Sequence, residues 1–169
     1  MKENKADTNG EAIEIKEKEL KIKIKKAKKS DFVRIVELIR ELAEFERLDP
    51  PDQKAVKRLY KDAFGKKPFI KMLIAKQEKE IVGYAIYFDA YSSFLGKKTM
   101  FLEDIFVTQT LRNTGIGKLF FEELIKIAKK DKFGRVEWSV LDWNINAIAF
   151  YNKIGAKPLS EWVYYRLTL

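Results

Sequence analysis

From Leu20 the run LKIKIKKA alternates apolar and basic residues, which puts Leu20, Ile22 and Ile24 on one face of a half-buried strand. At Ser30, a residue able to cap a helix, the period lengthens. Phe32, Ile35, Val36, Ile39, Leu42 and Phe45 recur at helical spacing and predict a helix over roughly 31–46. LDPPD breaks it, and a second helix, over about 53–64, stops at Gly65. FIKMLIAK (from Phe69) and IVGYAIYFDA (from Ile81) read as strands joined by the tight polar turn Gln77 to Glu80. The loop Tyr91 to Lys97 leads into a strand over 98–107. After Gly115 the helical period returns, with Leu119, Phe120, Leu124, Ile127 and Ala128 on the inner side. A strand from Arg135 to Leu141 and a helix from Asn144 to Ile154 follow, then two strands near 157–160 and 162–168. The order β α α β β β α β α β β predicts an α/β fold on one mixed sheet. Residues 1–18 are polar and charged and read as an extension; 19–169 form a single domain.

Three places in this pattern carry candidate chemistry. In FLEDIFV both parities are apolar, Leu102 and Phe106 on one side and Phe101, Ile105 and Val107 on the other, so the strand is covered on both faces. Glu103 and Asp104 then point to opposite faces of a dry element, where each needs a partner or a wet cleft. A structural salt bridge to one of the many Lys or Arg residues answers that need. So does a cleft in which a carboxylate attracts a cation or a proton.

Next comes Arg112-Asn113-Thr114-Gly115-Ile116-Gly117, of the form Arg-x-x-Gly-x-Gly, followed by Lys118 and a helix. A strand, a glycine turn and a helix start aim unpaired backbone N–H groups and the positive dipole end at one spot, which suits a phosphate. The motif is neither a Walker A loop nor GxGxxG. An ordinary loop entering a helix is the competing reading. In NINAIAFYNKIGA, Ile148, Tyr151 and Ile154 share a stripe, and Asn144 is the N-cap. Tyr151 is then either a core tyrosine with a bonded hydroxyl or a half-buried proton donor.

Composition narrows the chemistry. The chain has no cysteine and no histidine. Cys nucleophiles, His bases and nearly every tight zinc site are excluded, and no dense acidic cluster suggests a metal. No apolar run approaches bilayer length and no signal-type stretch opens the chain, so a cytoplasmic location is expected. The net charge is 34 − 25 = +9, of which +4 lies in residues 1–30. Lys and Glu alternate without an Arg-aromatic stripe, which reads as a solvated surface rather than a nucleic-acid face.

Taken together, the glycine turn, the LEDIFV strand and the segment Asn144 to Ala156 resemble the GCN5-related N-acetyltransferase superfamily over about residues 20–169. DAFGKKPF, IVGYAIYF, FLGK and LEDIFV resemble its diamine (spermidine/spermine-type) branch. GRVEWSVLDWNINAIAFYNKIGA resembles especially the plant and thialysine-acetylating members. The resemblance implies a mostly antiparallel central sheet with helices on both faces, acetyl-CoA as acetyl donor, no metal and a homodimer. It implies that Ile105, Phe106, Val107, Arg112 and Asn113 to Lys118 (Asn113, Thr114, Gly115, Ile116, Gly117, Lys118) contact acetyl-CoA, with Asn144 and Ala147 at the thiol end. It makes Tyr151 the general acid and Glu103 the group that steers or deprotonates the amine through water. Glu46, Ser92, Asp104 and Glu161 fall at substrate-side positions. Ser92 stands where polyamine acetylators carry an acid, which favours a shorter amine: a diamine, ornithine or a lysine analogue. A protein acetyltransferase and a non-catalytic module binding acetyl-CoA or nucleic acid are the alternatives.

Overall fold

The computed structural model describes residues 21–169; the expected extension 1–18 and Leu20 lie outside the described residues. The elements are β1 (Ile22–Lys26), α1 (Phe32–Glu46), α2 (Gln53–Phe64), β2 (Ile70–Gln77), β3 (Glu80–Ser92), β4 (Lys97–Val107), α3 (Ile116–Lys130), β5 (Arg135–Glu137) and α4 (Ile145–Lys153). The sheet runs β1-β2-β3-β4-β5, antiparallel at the first three junctions and parallel between β4 and β5. The expected mixed, mostly antiparallel sheet is therefore present.

Helices cover both faces. On one side α3 buries Ile116, Phe120, Phe121, Leu124 and Ala128 against Leu73, Ala85, Met100 and Leu102, with Ile22 and Ile24 of β1 at the margin. On the other, α1 buries Phe32, Ile35, Val36 and Leu38 against Met72, Ile74, Tyr84, Ile86 and Phe106. Leu119, expected on the inner side of α3, is exposed, and Phe121 takes that place. Ser30 does not cap α1. It lies in a 3-10 turn (Lys29–Asp31), and Asp31 occupies the N-cap while its carboxylate accepts from Lys28 N–H at 2.8 Å. Helix α2 is capped by Asp52, which accepts from Ala55 N–H, and ends at Gly65.

Two expectations fail for one reason. The strand from Arg135 ends at Glu137 rather than Leu141, and residues 157–169 form no strand. WVYYRLTL has strand composition, yet a strand needs a neighbour to bond. Strand β5 pairs only over Thr99–Phe101 of β4, and among the described residues 157–169 find no strand to pair with. Trp162 and Tyr165 remain exposed.

The parity of β4 also differs from expectation. The ladder pairs Ile86 with Asp104 but Tyr87 with Leu102, leaving Glu103 as an extra residue, a β-bulge. The bulge shifts the alternation by one. Leu102 faces the α3 core and Phe106 the α1 core, instead of sharing a side. Glu103 and Asp104, expected on opposite faces, both line one cleft.

Candidate active site

Strands β4 and β5 part after Phe101 and Glu137, so the rest of β4 has an open edge. Thr108 N–H donates to Val82 O of β3 at 2.9 Å. Ladder alternation then turns the main-chain groups of Asp104 and Phe106 toward β3 and those of Ile105 and Val107 toward the open edge. The Phe106 side chain is buried in the α1 core, so Ile105 and Val107 are the residues of this trio that offer the edge free donors and acceptors. Arg112 crosses the edge: its Nε donates to Val107 O at 3.3 Å, and its guanidinium lies 4.3 Å from the Phe45 ring and 5.4 Å from Phe106.

At the end of that edge the chain turns through Asn113 (φ 63°) and Gly115 (φ 89°) into α3. Gly115 is the left-handed N-cap, and its missing Cβ faces open space. The first N–H groups of α3, at Ile116, Gly117 and Lys118, have no intrahelical acceptor and lie at the positive end of the dipole. Asn113, Thr114 and Lys118 are exposed beside them; the Ile116 side chain is buried, so only its backbone serves the turn. Thr114 Oγ1 donates to Leu111 O at 2.7 Å and braces the loop. The Phe150 ring of α4 lies over Gly117, 3.5 Å from where a Cβ would stand, so α4 packs beside the first turn of α3. The turn fits a phosphate group by its open space, its free N–H groups and its basic surroundings. Gly115→Val would force a β-branched residue to positive φ and fill that space. We expect at least a tenfold loss of acetyl-CoA affinity by calorimetry, and intact affinity would remove the turn from the cofactor site.

Helix α4 packs beside α3, with Phe150 and Tyr151 against Phe121. Asn144 caps it, accepting from Ala147 N–H at 3.2 Å, and Ala147 is half-buried. The Tyr151 ring packs edge-on to Phe121 (centroids 5.8 Å apart) and Trp138 (5.1 Å). Its hydroxyl has no hydrogen-bond partner among the described residues. A core tyrosine with a bonded hydroxyl does not describe this geometry. Burial and the Glu46 carboxylate push its pKa up to about 12, so it holds its proton at neutral pH.

Glu46 lies at the C-terminus of α1. Its charge raises the pKa of Tyr151, of Asp104 and of Tyr84, so it lies within electrostatic reach of all three. Burial raises its own pKa. Asp104 accepts from the Tyr84 hydroxyl at 3.3 Å. Its pKa rises from 3.8 to about 6, through burial first and the neighbouring Glu103 charge second, while the Tyr84 bond pulls the other way. Neither Glu103 nor Asp104 forms a salt bridge among the described residues. Both open into a cleft of about 580 Å³ between the sheet and α2, whose wall also includes Asp49, Arg58 and Asp62. Ser92 and Glu161 are not among the residues that line it. Ser92 is buried in the β3–β4 turn, accepting from Leu95 N–H at 3.3 Å, and Glu161 is exposed on the tail.

The raised Asp104 pKa has a stability consequence. A carboxylate whose folded pKa exceeds its ordinary value costs stability when charged, above about pH 6, and the cost fades as pH falls toward 3.8. Asp104→Asn removes it while keeping an acceptor for Tyr84. The variant should melt higher near pH 8, by up to about 3 kcal/mol of stability, with the gain gone near pH 4. A melting scan at both pH values checks this; a loss at both would make Asp104 a structural group.

Asp49, Arg58 and Asp62 also line the cleft; the sequence signal for that wall is the helical spacing of Ala55, Arg58, Leu59 and Asp62 on α2.

The structure thus holds an open strand edge beside a glycine turn at a helix start, two carboxylates without salt bridges on one cleft, and a tyrosine hydroxyl without a partner among the described residues. The acetyltransferase (GNAT) family model matches residues 33–156, and the chain belongs to that family. The thialysine N-epsilon-acetyltransferase of Mus musculus is 34% identical over 155 residues, covering 85% of this chain and 91% of that protein. The L-ornithine N5-acetyltransferase NATA1 of Arabidopsis thaliana is 46% identical over 88 residues, 52% of this chain and 39% of its own length. Among solved structures, an integron cassette protein from V. cholerae superposes with a TM-score of 0.76 at 26% identity, covering 87% and 92% of the two chains. The expected fold, family and acetyltransferase activity agree with these findings.

Proposed function

We propose that the chain transfers the acetyl group of acetyl-CoA to a primary amine of a small cationic molecule: a diamine, ornithine, a lysine analogue or a polyamine. The observation that carries the reading is the bulge in β4, which turns Glu103 and Asp104, neither salt-bridged among the described residues, to one cleft next to the open edge at Ile105 and Val107. The similar proteins named for thialysine and ornithine acetylation support the same substrate class.

Alkyl amines are mostly protonated at neutral pH, so the ammonium first enters the acidic cleft. Glu103, through ordered water, takes one proton. The amine nitrogen then bonds to the thioester carbonyl carbon while a main-chain N–H of Ile105 or Val107 supports the carbonyl oxygen. The C–S bond breaks, Tyr151 gives its proton to the leaving sulfur, and the second proton shed by the new amide nitrogen returns through water to the Tyr151 oxygen. Gly115, Gly117 and the surrounding Arg112, Asn113, Thr114 and Lys118 hold the donor's phosphates, and Asn144 and Ala147 flank its thiol end. No residue of the chain is acylated on the way.

The exposed apolar tail, Trp162 to Leu169, is the kind of surface a homodimer would cover, and sedimentation at two concentrations tests that state. The reading places the protein in the cytoplasm; no helix among the described residues is long and apolar enough to cross a membrane. A thiol-release assay with acetyl-CoA against diamines, ornithine, lysine, thialysine, spermidine and a histone-tail peptide tests the function. Turnover of small amines is expected. Preference for the peptide would turn the reading to a protein acetyltransferase.

A further inference from the structure

The charged residues lining the amine cleft are acidic with one exception. Asp49, Asp62, Glu103 and Asp104 carry the negative charge, and Arg58 sits among them. Arg58 projects from α2 on the stripe that also sends Asp62 to the cleft, four residues further on. At that spacing an Arg–Asp pair on one helix would close readily, yet Arg58 forms no ion pair within 4.0 Å among the described residues. Among the described residues its guanidinium has no acidic partner, and Arg58 is exposed at the cleft wall.

A cation in a site built for cations needs an explanation. Toward a diamine or a polyamine, which carry only positive charge, Arg58 is repulsive and lowers affinity. Toward an amino acid with a second, terminal amine it is complementary. Such a substrate carries two ammonium groups and one carboxylate. The terminal ammonium suits Glu103 and Asp104 on the sheet, the α-ammonium suits Asp49 and Asp62 at the α2 side, and the α-carboxylate matches the planar fork of a guanidinium. We propose that Arg58 is a specificity-determining residue that binds the α-carboxylate of a free amino acid, so that the enzyme acetylates the terminal amine of ornithine- or lysine-like molecules in preference to the corresponding diamines. This rests on the amine-acetyltransferase reading above and selects within it.

The test compares two substrates that differ only in the carboxylate, ornithine and putrescine, in the thiol-release assay with the full chain. The wild type should favour ornithine by roughly 10- to 100-fold in kcat/KM. Arg58→Gln should lower kcat/KM for ornithine by a similar factor, mainly through KM, and leave putrescine within about threefold or improve it. Arg58→Glu should push the preference further toward putrescine, and Arg58→Lys should recover part of the loss. Ornithine methyl ester with the wild type gives a readout that needs no variant, and it should behave like putrescine. Equal change for both substrates in Arg58→Gln, or wild-type use of putrescine as good as that of ornithine, overturns the proposal. Turnover of neither amine, with acetyl-CoA still bound, would instead remove the amine-acetyltransferase reading, and the proposal with it.

Discussion

Tyr151→Phe is expected to lower kcat by roughly 10- to 1,000-fold, the contribution of a positioned general acid, with acetyl-CoA affinity nearly unchanged. The substitution is clean because the ring, not the hydroxyl, makes the packing contacts. Phe121 and Trp138 meet its face and edge within 5.8 Å and 5.1 Å, and a phenylalanine keeps both. The hydroxyl bonds to no described residue, so its loss orphans no partner. Its pKa of about 12 keeps the proton on the hydroxyl at any working pH, so the transfer to sulfur belongs to the step in which the C–S bond breaks. The rate deficit should therefore sit in chemistry, visible in single turnovers. Unchanged kcat would leave Tyr151 as a packing residue of α4.

Glu103→Gln should lower kcat/KM for the amine by about 10²- to 10⁴-fold, through both kcat and KM, because one carboxylate both attracts the ammonium and takes its proton. The bulge decides why this residue is available. As the extra residue of β4, Glu103 is exposed to the cleft and free of ladder constraints, and it has no salt bridge among the described residues. The melting temperature of Glu103→Gln should consequently stay within about 2 °C of wild type, the scale of a neutral surface change. A large drop in melting temperature with intact kinetics would restore the structural-ion-pair interpretation of Glu103.

Much of this site could be read from the chain because its parts are local. The spacing of Phe120, Leu124 and Ala128 defines the buried stripe of α3, and the residues before it, Gly115 with its positive φ above all, define the turn. Asn144 and Tyr151 lie on one helix whose cap and stripe follow from seven residues of pattern. The parts that failed are non-local. Whether Glu103 and Asp104 share a face depends on a register slip against Tyr87, which nothing in FLEDIFV encodes. Whether WVYYRLTL pairs depends on how far β5 extends. Arg58 is one of four cations on α2, with Lys54, Lys57 and Lys61, and only the fold sets it apart by putting it on the same cleft as Glu103 and Asp104.

The bulge at Glu103 also divides β4 into two independently variable halves. Up to Leu102 the even-numbered side chains belong to the α3 core; from Asp104 onward they belong to the α1 core and the cleft. Evolution can therefore retune the substrate wall at Asp104 and its neighbours without repacking the even positions that seat α3, and a designer can do the same.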